Sequence, residues 1–168
     1  MVDRLTVFEE IARRVPALGE AVPAPGPAGP LHPFEVWNLH PALPLKVRRL
    51  FDDAHYAEAT FAACKYLEQL IAGLSEINKT GEKLMMAAFN EDAPQIRLTP
   101  LTTESDRDEQ RGYRHIFSGL IVGIRNPRGH ETSAADQIDT CLEHLVLVSH
   151  LVRRLERAGY QVVPPNTR

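Results

Sequence analysis

The sequence predicts an all-α protein: a helical bundle of four to five helices, preceded by a short N-terminal helix and a proline-rich arm. Three observations carry this. Apolar residues recur three and four apart through several long stretches, the period of a helix buried on one face. No stretch is rich in strand signals, and no internal repeat appears. Of 13 prolines, eight fall before residue 45, so the residue type that breaks helices is crowded into the first quarter of the chain. The length, 168 residues, fits one domain with a small appendage. A compact chain of this size buries roughly 70% of the surface it exposes when unfolded, without needing disulfides or a metal.

Leu5, Phe8, Ile11, Ala12 and Val15 fall at helical spacing over residues 3–15, with Asp3 or Thr6 as cap and Pro16 as the stop. Ala21 to Pro30 is a Pro/Ala/Gly run that supports neither a helix nor a ladder and tends to a semi-rigid, extended form. Apolar character returns at Phe34, Trp37 and Leu39. The expected organisation is an arm over residues 1–42, a helical domain over 43–158 and a tail over 159–168. Within the domain, Leu45 to Phe51 reads as a short helix. His55 to Ile77 reads as a long one, with Phe61, Cys64, Leu67, Leu70, Ile71 and Leu74 as its apolar stripe. Thr80 to Lys83 opens a short helix carrying Leu84, Met85, Ala88 and Phe89. Residues 90–103, with Pro94, Pro100 and alternating Ile96, Leu98 and Leu101, read as a loop with room for a small hairpin. Over 104–125, Tyr113, Ile116, Phe117, Leu120, Ile121 and Ile124 form one face, and Glu104, Asp106, Asp108 and Glu109 complement the dipole at its start. Pro127 is expected to stop this helix, because the residue before a proline is pushed out of the helical region. Ser133 is the expected cap of a last helix to about Ala158, with Ile138, Cys141, Leu142, Leu145, Val148, Val152 and Leu155 inward and Gly159 at its C-terminal end.

The formal net charge is −3, which excludes a strongly basic nucleic-acid coat but leaves room for a local basic groove. Fifteen of the 19 basic residues are Arg, the side chain suited to two-pronged recognition of phosphate or carboxylate. Cys64 and Cys141 give neither a disulfide framework nor a zinc pattern, and their apolar surroundings mark them as buried small hydrophobes. No apolar run approaches the 18 residues of a membrane helix. The start, Met1-Val2-Asp3-Arg4, lacks the layout of a signal peptide, so a reducing cytoplasm is the expected compartment. There is no phosphate-cradling loop, no GxGxxG and no acidic cluster spaced for magnesium, and no cofactor or metal is expected.

The segment that carries chemistry is Arg125-Asn126-Pro127-Arg128-Gly129-His130. With the helix broken at Pro127 and a permissive Gly129, His130 is expected to fold back toward Arg125. An Arg beside a His suits phosphodiester cleavage without a metal. The imidazole, with an ordinary pKa of about 6.5, takes or gives a proton, and the guanidinium steadies the charge that grows on the phosphate. A bland reading stands beside this one: an Arg in a last helical turn complements the dipole, and a His after a helix is commonly a cap or a surface residue.

The motif resembles the signature of the HEPN superfamily, an Arg and a His separated by four to six residues with a polar residue directly after the Arg, here Asn126. More of the chain resembles the Ymh-type, Abi-like branch. The matching pieces are Leu50-Phe51 with His55-Tyr56 and Ala59; Ala63, Lys65 and Leu67-Glu68; Gly81, Leu84-Met85 and Ala88-Phe89; then Gly112, Phe117, Gly119, Gly123, Arg125-Asn126-Pro127 and His130-Glu131. They span roughly residues 43–157. At Gly129 the branch tends to carry Ala, a departure expected to be harmless. The resemblance implies a helical bundle that forms a homodimer, in which two Arg–His pairs face each other across a cleft and cut RNA as a metal-independent endoribonuclease. It further implies a role in phage defence, abortive infection or a toxin–antitoxin pair, and it assigns Arg125, Asn126 and His130 as catalytic. Read from the residues themselves, Arg128 beside Arg125 and Lys65 are the expected substrate-binding cations.

Gly112, Gly119 and Gly123 fall within an arc of about 40° on the helical wheel. Each costs a helix roughly 1 kcal/mol against Ala, so three in a stripe point to close approach of a helix, from this chain or a partner. Lys65 and Glu68 share a face. They form either a solvated ion pair or a functional set in which Lys65 meets an RNA backbone and Glu68 orients Arg125. Arg153, Arg154 and Arg157 make a basic helix end that favours the dipole and adds phosphate affinity. His144 and His150 have no metal-ligand spacing, and Met85-Met86 reads as core filler. The competing class is a non-catalytic scaffold that binds an antitoxin or defence partner through the arm and the Phe34/Trp37 region.

Overall fold

The computed structural model describes residues 30–130 and 136–162, the side chain of His130 excepted. The expected N-terminal helix over 3–15, the proline-rich run as far as Gly29, the cap at Ser133 and the end of the tail lie outside the described residues. The chain divides into two units, Met1–His32 and Pro33–Arg168. The second is all-helical among its described residues. In order it contains α1 (Pro33–Val36), α2 (Leu45–Asp52), α3 (Tyr56–Ser75), α4 (Gly81–Ala88), α5 (Glu104–Gly119), a π-helical segment π1 (Leu120–Arg125), α6 (Asn126–His130) and α7 (Ile138–Arg157).

The long helix α3 is the hub, packing against α2, α4, π1, α6 and α7. Cys64, Leu67 and Ile71 from its stripe are fully buried with Leu84, Met85, Phe117, Ile121, Leu145 and Leu155. Phe89 and Phe117 stack with ring centroids 4.2 Å apart. The packed unit also takes in residues ahead of α2. Leu39 and Ala42 are buried in the core, and Phe34 packs on Phe51 at 5.3 Å. The buried His40 ring bonds Glu156 Oε2 at 3.0 Å, and the His40 backbone N–H donates to Ser149 Oγ.

Three expectations are corrected. First, Pro127 does not end the helix: helical backbone runs through it to His130. In a regular α-helix its ring would strike the carbonyl of Gly123. Here the preceding turn widens to π register, with the Asn126 N–H donating to Ile121 O, so the strict i to i−4 ladder that the proline ring would obstruct is already broken ahead of Pro127. Second, Ile116 and Ile138, expected on the inward faces of their helices, are exposed. A 3.6-residue stripe is wider than the contact surface, and these two sit at its margins. Third, α7 begins at Ile138 after Gln137, which makes no side-chain cap bond.

The segment 90–103 contains no strand; Arg114 and Asp106 of α5 hold its two ends, on Glu91 and on Thr102 and Thr103, and Gln110 of α5 holds its middle. Gln110, fully buried, accepts from Leu98 N at 2.8 Å and donates to Phe89 O and Ile96 O at 3.2 and 2.9 Å. Nothing in its polar sequence context marks it as a core residue. Gln110→Ala leaves three buried backbone groups unpaired. It is expected to cost about 3 kcal/mol, read as a lower urea midpoint with an unchanged slope; a loss under about 1 kcal/mol would show that the loop is held by other contacts. At the start of α5, Thr103 and Asp106 form a capping box. Hydrogen bonds from Thr102 and Thr103 hold the Asp106 carboxyl below the usual carboxylate range.

Candidate functional site

The site is built where π1 and α6 cross α3. Positions 61, 65 and 68 lie on one face of α3, one turn apart. Glu68 is buried, and a carboxylate there must be compensated. Its Oε1 accepts the Gly81 N–H at 2.7 Å; its Oε2 lies 3.2 Å from Arg125 Nη2 and 3.5 Å from Lys65 Nζ. Gly81 sits at φ +61°, a left-handed value that favours glycine, at the point where α4 starts.

Arg125 is therefore held on several sides. Its Nη1 donates to Asn126 Oδ1 at 3.0 Å. Its guanidinium lies 5.4 Å from the centroid of the Phe61 ring, in cation–π range. Its Nε is buried with no hydrogen-bond partner among the described residues. The side chain is about one-fifth exposed, so the group is fixed without being sealed off.

Arg128 is fixed differently. It forms a two-pronged pair with Asp136, at 2.6 and 2.7 Å, and donates to Ile124 O at 2.8 Å. The fork that suits it to phosphate is occupied by a carboxylate of the same chain. Lys65 remains nearly half exposed. His130 is the last residue of α6, about one and a half helical turns beyond Arg125 along the backbone; its side chain lies outside the described residues. Because the backbone stays helical, the sharp turn expected to fold His130 back does not form.

Gly129 lies against Phe61: a Cβ there would come within 3.0 Å of Phe61 Cε2. The missing side chain lets α6 approach the aromatic ring that also carries Arg125. Gly112, Gly119 and Gly123, by contrast, are exposed, and a Cβ on any of them would meet nothing within 4 Å. The close approach of a helix that their stripe leads one to expect is therefore not made by any described residue of the chain.

Sequence reasoning missed three partners: Phe61 as the platform for Arg125, the Gly81 N–H on Glu68, and Asp136 on Arg128. The first was accessible, since Phe61 lies seven residues before Glu68 on the same face. The other two join residues 13 and 8 apart, across the turns between helices, and so leave no trace in the helical period. Arg154, expected with Arg153 and Arg157 to favour the helix dipole and add phosphate affinity, is buried, bonded to Glu109 and Leu98 O. His150 stacks on Tyr113. His144 is half-buried, and desolvation, with Arg128 nearby, lowers its pKa. Among the described residues no group of three or more His, Cys, Asp or Glu is placed to hold a metal, and no helix is long and apolar enough to cross a membrane.

Cys64 lies deep beside this site, and burial pushes its thiol up to about 12 from 9.0, against the opposing pull of Arg128 and Arg125. A group whose folded pKa is raised contributes stability that is complete below the unfolded pKa and is lost above it. Unfolding free energy is therefore expected to fall between pH 9 and about 12, by about 1 kcal/mol per unit from this group. Urea midpoints at pH 8 and 10 check this, and Cys64→Ala should flatten the slope; an equal slope in the variant would refute the assignment.

Residues 37–155 fit the family described as Hypoth_ymh, protein of unknown function. No curated protein and no solved structure matches the chain.

Proposed function

The chain belongs to the Hypoth_ymh family, and from that premise we propose that it is a metal-independent endoribonuclease of HEPN type, acting at a site shared by two copies, in phage defence or as a toxin. The observation that carries the reading is the holding of Arg125. A buried carboxylate, a neighbouring amide and an aromatic face fix one arginine at a π-helical turn, the kind of irregularity found frequently at functional sites. Exposed arginines that only complement a helix dipole need no such support.

In this reaction His130 removes the proton of a ribose 2′-hydroxyl. The O2′ attacks phosphorus, the P–O5′ bond breaks, and the leaving oxygen takes a proton from the second copy's imidazolium. The products are a 2′,3′-cyclic phosphate and a 5′-hydroxyl. Arg125 steadies the charge on the phosphate, and Asn126 sets the guanidinium's orientation. The full chain should cut RNA in EDTA and leave DNA, which lacks the nucleophile, intact. Uncut RNA, or DNA cut equally, would overturn this. The rate should respond to a group titrating near pH 6.5; a flat profile from pH 5 to 8 would argue against His130.

The exposed stripe of Gly112, Ile116, Gly119 and Gly123, on the helical stretch that ends in Arg125, supports pairing of two copies through this face. Light scattering at micromolar concentration should report a dimer, and Ile116→Asp should yield a folded monomer with little cleavage activity. A wild-type monomer would refute the shared site.

A second reading, a scaffold without catalysis, is favoured by Val36, Trp37 and Leu45, which expose large apolar surface on one short stretch. It calls for an antitoxin or other defence partner there, and for RNA left uncut.

A further inference from the structure

We propose that the groove between α2 and α3 is a nucleotide subsite that takes one unpaired base of an RNA strand, with the adjoining phosphates on Lys46 and Lys65. The proposal rests on the ribonuclease reading and names how its substrate is selected. The groove encloses about 530 Å³, a volume ordinary for a small-molecule site. It arises because one face of α3 presents Phe61, Ala62, Lys65 and Tyr66 at helical spacing, while α2 lays Lys46 and Leu50, one turn apart, along the opposite wall.

Two features choose the occupant. The walls are apolar and partly aromatic, through Leu50, Phe61 and Tyr66, a surface on which the flat face of any base stacks without sequence preference. The rim is cationic: Lys46, Lys65 and Arg128 line it against one carboxylate, Glu58. Asp136 offsets Arg128, and Glu68, shared with Arg125, offsets Lys65 in part, so the attraction comes chiefly from Lys46, which is exposed and has no ion pair among the described residues, with Lys65, nearly half exposed, adding to it. An apolar slot with a cationic lip fits a base with its phosphates and does not fit an acidic peptide lacking aromatic side chains.

The groove is also continuous with the candidate site. Phe61 lines it and at the same time carries the Arg125 guanidinium. A strand with one phosphate at Arg125 therefore has its neighbouring nucleotide beside the slot. A paired base is held in its stack and does not enter, so the groove makes the protein select single-stranded segments.

The test uses the full chain and a fluorescein-labelled 2′-O-methyl oligonucleotide, which lacks the free nucleophile and is not cut. By fluorescence polarisation the single strand should bind at least about tenfold more tightly than the same sequence in a duplex. Ala62→Trp fills the slot and should weaken binding about tenfold or more. Lys46→Ala lies on the exposed rim and leaves the fold intact; it should weaken binding and make the log–log salt dependence shallower by about 0.7, the value for one phosphate contact on a single strand. Equal binding of duplex and single strand, wild-type binding by a folded Ala62→Trp, or an unchanged salt slope in Lys46→Ala would each overturn the groove assignment. Because the probe is uncleavable, the two readings fail separately. Binding in the groove with no cleavage of ordinary RNA refutes the nuclease alone, and cleavage with groove variants that bind normally refutes the groove alone.

Discussion

Arg125→Ala and His130→Ala are each expected to lower RNA cleavage in EDTA by about 10²–10⁴-fold, the range for removing a general acid–base or an anchored charge that stabilises the transition state. The two losses should not add, because both side chains act in one step. Arg125→Lys should fail to restore activity. The guanidinium makes separate contacts to Glu68 and Asn126 and lies over Phe61, and an ammonium on a flexible stem reproduces one of these at most. Toxicity on expression, relieved by His130→Ala, is the cheap first sign. Full activity in both alanine variants would end the ribonuclease reading. Circular dichroism of each variant separates lost chemistry from lost fold. Arg125→Ala should remain folded, because Glu68 keeps Lys65 and the Gly81 N–H as partners.

Glu68→Leu is expected to destabilise the protein by about 3 kcal/mol, the low end for breaking a buried ion pair, since Arg125 and Lys65 keep some access to water. The loss has two sources: a half-buried guanidinium without its counter-charge, and a Gly81 N–H without its acceptor. Glu68→Gln separates them. Its amide oxygen still accepts from Gly81, so stability should largely return, while the missing charge leaves Arg125 loosely held and cleavage low. Urea unfolding of the two variants beside wild type, with cleavage measured in parallel, checks this. A Glu68→Leu protein as stable as wild type would show that Arg125 is positioned by Asn126 and Phe61 alone.

The helices were legible because each buries one face, and burial writes a 3.6-residue period into the chain. Cys64, Leu67 and Ile71, or Leu142, Leu145 and Leu155, announce their helices without help from distant residues. Pro127 shows the limit. Local rules make it a stop, and the stop is avoided only because the turn before it shifts register, a choice that packing against α3 sustains. Ile116 and Ile138 show a second limit, since periodicity marks a face but not how far a neighbour covers it. For the candidate site, the Arg125, Asn126 and His130 triplet and the Lys65–Glu68 pair could be read directly. Whether Glu68 was a solvated surface charge or a buried partner of Arg125 could not, because the two are 57 residues apart and each taken alone looks ordinary.

By itself the sequence determined the helical class, the main helix bodies and the family, all of which depend on residues near one another in the chain or on their order along it. Only the tertiary structure decided that Arg125 rests on Glu68 and Phe61, that Arg128 is spent on Asp136, that Gln110 pins the middle of the loop, and that the glycine stripe faces outward. These are meetings between separate segments. A buried charge or amide takes its partner from whatever the fold brings within 3 Å, and that proximity leaves no periodic trace in the chain.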